Sequence, residues 1–126
     1  MAIHKDISKP FKLVDKKTGE IRRFEAVGFL NEDEAPISGN EMMARVAGKN
    51  GGAIDDGDME FVWRHRDLLP PELQAHDLVT NQRDCPDWPH NLVCFDYYGY
   101  NREWQKFYES IDTRWSQRAL VLRRCP

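Results

Sequence analysis

Midway along this 126-residue chain the hydrophobic period changes, and that change restricts the fold more than any other feature. Between residues 37 and 67 the apolar side chains recur at helical spacing. From residue 77 onward they come in short runs rich in β-branched and aromatic residues, the signature of strands. A block of helices followed by a block of strands predicts an α+β fold rather than alternating βαβ units.

The helical block carries its own start signals. In ISGNEM, Ser38 is placed to cap a helix and Glu41 to reach back, with Ile37 and Met42 at the two positions of a hydrophobic staple. The expected helix covers about 39–48, with Met42, Met43, Val46 and Ala47 inward, and ends at the Gly-rich KNGG. IDDGDM repeats the grammar. Asp55 caps, Asp56 and Asp58 occupy the first turn where the helix dipole favours anions, and Ile54 staples to Met59. Met59, Val62, Trp63 and Arg66 follow one face, and Leu69-Pro70 ends the segment expected over 55–67. PPELQ reads as one more helical turn opened by proline.

Four strands are expected next: DLVTN (77–81), LVCFDYY (92–98), EWQKFYES (103–110) and RALVLRR (118–124). Short links, including the tight-turn signal GYN (99–101), predict an antiparallel β-meander of about four strands packed against the two short helices, which cover one sheet face. Near the N-terminus, FKLVD (11–15) and IRRFEAVGF (21–29) flank Lys-Thr-Gly and predict a β-hairpin that adds to an edge or covers a face. Residues 1–9 are expected as a flexible arm of a single domain spanning 1–126.

Charge excludes some function classes. Residues 1–30 carry seven Lys/Arg against four Asp/Glu, residues 31–62 two against eight, and residues 63–126 nine against nine. No basic stripe runs along the chain, so nucleic acid is not the expected partner. No stretch approaches the ~20 apolar residues of a membrane span. Three cysteines and no apolar leader segment suit a reduced, cytoplasmic protein.

Two constellations compete for a role. The first is CPDWPH (85–90) with Cys94 and Cys125, a conceivable metal or cysteine-nucleophile site built on Cys85, His90 and Cys94. Zinc sequences show close ligand pairs, and none is present. The preferred reading is a loop stiffened by Pro86 and Pro89 around Trp88, with Cys94 a small core residue. No metal or cofactor is expected. DDGD (55–58) lacks the register of a calcium loop, and Arg64, His65 and Arg66 on a helix would point about 100° apart, so they do not form one anion site.

The second constellation is aromatic. Nine of fourteen aromatic residues lie between 88 and 115, and LVCFDYY is apolar on both faces. A sheet covered on one side should show one polar face, so part of this set is expected to face a second molecule. Trp88, Tyr97, Tyr100, Trp104 and Trp115 are the expected binding residues, Tyr and Trp being enriched at hot spots. The expected function is a small non-enzymatic interaction protein, inhibitor- or immunity-like by analogy, or a homodimer. The alternative is the metal or cysteine-dependent enzyme.

Overall fold

Both helices form where their caps are written. The computed structural model describes residues 4–49, 51–83 and 89–125. Helix α1 (Gly39–Ala47) starts at Ser38, whose hydroxyl accepts from the Glu41 N–H at 3.3 Å. The Glu41 carboxylate turns instead to Arg45, one turn on, at 3.2 Å. Met42 and Val46 are buried, Met43 is half-buried and Ala47 is exposed, a narrower inward stripe than expected. Helix α2 (Asp56–Arg64) has the full reciprocal box: Asp55 accepts from the Asp58 N–H at 2.8 Å and Asp58 accepts from the Asp55 N–H at 3.1 Å. Two 3-10 turns, Arg66–Leu68 and Pro71–Ala75, follow it.

The main sheet has six strands: β1 (Ser8–Val14), β2 (Ile21–Val27), β4 (Asp77–Val79), β5 (Asn91–Tyr98), β6 (Glu103–Ser110) and β8 (Ala119–Arg124). A second, two-stranded ribbon joins β3 (Ile37–Ser38) to β7 (Arg114–Trp115). The class is α+β, with the N-terminal hairpin β1–β2 as expected. Strand order in the main sheet is β1-β2-β8-β4-β5-β6. The antiparallel meander therefore holds for β4, β5 and β6 only. The last strand does not continue it. β8 returns to the middle of the sheet, antiparallel to β2 and parallel to β4. The physical reason is burial: Ala119 to Arg123 are all buried, and a run apolar on both faces belongs where both faces and both edges are covered.

Successive residues of these strands feed two cores. Leu13, Phe24, Leu78, Phe95, Trp104, Leu120 and Leu122 pack with Met59, Phe61 and Val62 of α2 and with Leu69 and Leu73 of the turns behind it. Val27, Val79, Leu92, Cys94, Ala119 and Val121 pack with Met42 and Val46 of α1 and with Phe29, Leu30, Ile111 and Trp115. The two helices thus cover opposite faces of the sheet, not the same one. This resolves the double-sided apolar character of LVCFDYY without a ligand.

Residues 4–9, expected as part of an arm, are ordered into the fold. His4 to Asp6 form a 3-10 turn, His4 is buried, and β1 begins at Ser8. Gly28 permits this: a Cβ there would stand 1.8 Å from the His4 carbonyl oxygen. No helix among the described residues is long and apolar enough to cross a membrane.

Candidate functional site

With both sheet faces covered, the exposed aromatic side chains among the described residues lie on the β5–β6 hairpin. Among the described residues, three of the five exposed large hydrophobic ones are tyrosines of that hairpin: Tyr98 at 48% exposure, Tyr100 at 89% and Tyr108 at 46%. Tyr98 and Tyr100 lean together at the turn, ring centroids 6.1 Å apart. The turn ends on Arg102, a non-glycine residue in the left-handed region at φ 56°, whose N–H closes back on the Tyr98 carbonyl at 2.9 Å.

Strand β6 is one outer edge of the sheet, and its free backbone groups can be assigned. The ladder pairs Asn91 with Ser110, and the Ile111 N–H donates to the His90 carbonyl at 2.8 Å. Hydrogen-bonded positions alternate in an antiparallel pair, so the odd-numbered residues of β6 bond to β5. The N–H and C=O groups of Trp104, Lys106 and Tyr108 then point outward, where no described strand pairs with them. The opposite edge, β1, is built differently. The Asp15 N–H donates to Glu20 and the Gly28 N–H to Ile7, which turns the even-numbered positions of β1 outward. Pro10, with no N–H, falls at one of them, and Lys12 at another. Proline and lysine are the usual means of blunting an edge; β6 has an outward lysine too, Lys106, but no proline to interrupt its outward N–H groups.

The expected binding residues divide. Tyr100 is fully out in solvent. Tyr97 is half-buried and packs edge-on against Trp104, centroids 5.7 Å apart. Trp104 and Trp115 are core residues, 3% and 5% exposed, and offer no ring to a second molecule. Trp104 is buried on the sheet face that α2 covers, and Trp115, in the β3–β7 ribbon, is packed into the core on the α1 side. Trp88 lies outside the described residues, as does Cys85. Tyr98 and Tyr108 join the surface although neither was expected there. Their signal was available: Tyr98 abuts the GYN turn, and Tyr108 lies in the most polar of the strand segments, EWQKFYES.

Of the cysteine and metal constellation, Cys94 is placed in the core, while Cys85 lies outside the described residues. The Cys94 side chain is on the α1 side, its Sγ donates to the Leu92 carbonyl at 3.6 Å, and burial pushes its thiol well above the ordinary range. A thiol kept protonated by burial is a poor nucleophile. His90 is exposed beside the start of β5. Among the described residues no group of three or more His, Cys, Asp or Glu side chains is placed to hold a metal.

The basic run leaves the helix at Arg64: Arg64 and His65 both contact Phe61, while Arg66, in the 3-10 turn that follows, turns to Trp63. Arg64 lies over the Phe61 ring at 5.9 Å. His65 contacts the Phe61 carbonyl through Nδ1 at 2.8 Å and Asp15 through Nε2 at 3.7 Å. Arg66 donates to the Trp63 carbonyl at 2.8 Å and sits 4.1 Å from the Trp63 ring. Trp63 itself stacks on Phe95 and carries Lys106 at 4.7 Å, which ties α2 to β6.

Comparison with protein-family models, curated proteins and solved structures finds no match to this chain.

Proposed function

We propose that this chain is a small non-enzymatic protein-binding module that takes its partner along the outer edge of β6. One observation carries the reading: three exposed tyrosines flank the sheet edge that lacks proline, while the other edge is blunted. Main-chain groups of Trp104, Lys106 and Tyr108 would supply hydrogen bonds to an added strand, and Tyr98, Tyr100 and Tyr108 would supply side-chain contact. Strand addition of this kind combines backbone affinity with side-chain selectivity. Tyrosine suits the role because it offers large area with little rotamer entropy to lose. A second copy of the chain is the self-association form of the same reading.

The experiment immobilises the wild-type protein beside two variants, Lys106→Pro and the triple change Tyr98→Ser, Tyr100→Ser, Tyr108→Ser. Lys106 directs its N–H outward, so proline there removes an edge donor without removing a ladder bond. Stoichiometric capture of one protein by wild type, lost in both variants at unchanged circular dichroism, is the expected result. Light scattering on the protein alone identifies the case in which the partner is itself. A partner retained by both variants would place the interface elsewhere and end the proposal.

A further inference from the structure

Arg123 is a buried cation whose donors are under-used. It belongs to β8 on the same face as Val121, toward α1, and is 7% exposed. One of its terminal nitrogens donates to the Gly51 carbonyl at 3.2 Å. Its Nε is buried with no acceptor among the described residues. Glu25 stands across the ladder from it and is equally buried, but accepts from the Ser8 hydroxyl at 2.8 Å. Among the described residues the two make no ion pair. A guanidinium carries five N–H donors, and leaving the buried Nε–H without an acceptor is unfavourable unless a further group completes the set.

Beside Arg123 a pocket of about 230 Å³ opens between α1 and the sheet. Met43, Val46, Leu92 and Val121 give it apolar walls; Asn81, Arg83 and Arg123 are its polar side chains, and among the described residues no acidic one lines it. The room corresponds to roughly eight atoms of the ~30 Å³ that a water occupies in the liquid. A largely apolar pocket that includes a buried arginine in its lining is unusual in a chain of net charge −3.

We infer that this pocket binds a small organic monoanion, a carboxylate on a short hydrocarbon body, with the carboxylate on Arg123 and the hydrocarbon against Met43, Val46 and Leu92. The planar fork of arginine matches a carboxylate. The apolar walls favour a ligand with a tail over inorganic phosphate. Asn81 and the exposed Arg83 stand at the pocket as further donors.

The test titrates the whole protein with hexanoate, with hexanol as the neutral analogue, and with inorganic phosphate, followed by amide and methyl chemical shifts. Saturable shifts at Met43, Val46 and Leu92 are expected with hexanoate, and binding at least about tenfold weaker with hexanol, since the charge-assisted hydrogen bonds are lost. Arg123→Met should abolish the hexanoate response. Should that variant fail to fold, Ala53→Trp at the exposed rim closes the mouth without touching Arg123 and is expected to abolish binding equally. Hexanoate that leaves the spectrum unchanged at millimolar concentration, hexanol that binds as well, phosphate that alone binds, or Ala53→Trp that binds as wild type would each overturn the assignment.

Discussion

Asp58 is where the polar structure of the domain converges. It caps α2 reciprocally with Asp55, accepts from Arg22 at 2.9 Å and from Arg124 at 2.5 Å, and its side chain is only 4% exposed. Those arginines come from β2 and β8, so one carboxylate ties the helix to two central strands. Asp58→Ala should lower the unfolding free energy by about 2 kcal/mol, a lost cap plus a partly buried charge network, and urea denaturation measures it. His4 makes the second residue-scale case. Its Nδ1 accepts from the Phe29 and Leu30 N–H groups at 3.4 Å, and burial, with His76 and Lys49 nearby, holds its pKa below the ordinary 6.5. The folded state therefore binds fewer protons than the unfolded chain. The stability this supplies is complete above pH 6.5 and is lost as pH falls through the lowered folded value. Wild type should show a lower urea midpoint at pH 5 than at pH 7.5, and His4→Leu a smaller difference.

At the scale of elements, α1 rests on its Ser38 cap and on the close approach of Gly39, where a Cβ would stand 2.6 Å from the Ile111 carbonyl oxygen. Ser38→Ala should cost about 1 kcal/mol, read from the thermal midpoint. Glu34 clamps the same helix from outside, with both carboxylate oxygens 2.6 Å from the Arg45 guanidinium, which holds Glu34 at a pKa of about 2. In the β5–β6 turn Arg102 adopts a backbone that glycine tolerates freely. Arg102→Gly should raise stability by up to about 1 kcal/mol, measured by the same melts, while leaving Tyr98 and Tyr100 in place. The caps of both helices were readable because a cap is a local arrangement of three or four residues. The helical faces were readable only in part: Met42, Val46, Met59 and Val62 are buried as expected, but Ala47 is exposed, Trp63 is half-buried, α2 stops at Arg64 before Arg66, and the fully buried Phe61 was not in the expected stripe, because which flank of a helix is covered depends on where the sheet lies.

The whole molecule is a sheet closed at its centre by its last strand. Inserting β8 between β2 and β4 joins the hairpin to the meander and gives the sheet its two covered faces. Amide hydrogen exchange should find Leu120, Val121 and Leu122 protected to the limit of global unfolding, with Lys106 and Tyr108 on the open edge exchanging far faster. Equal protection at Lys106 and Tyr108 in the isolated monomer would show that the β6 edge is already covered. The candidate surface was half legible. A surplus of rings in the last third is visible in the sequence, and Tyr100 follows from its turn. Trp104 and Trp115 could not be sorted from it, because their exposure depends on a helix forty or more residues away.

Sequence alone settled the α+β class, the caps of both helices, the N-terminal hairpin and the core character of Cys94. Each follows from spacing within a few residues or from the period of one segment. Strand order, the placing of α1 and α2 on opposite faces, the open edge at β6 and the buried Arg123 were decided by the tertiary structure. These depend on pairings between segments far apart in the chain, such as β2 with β8. Such pairings are chosen by which arrangement buries the most apolar surface while satisfying the backbone, a comparison made over the whole molecule at once.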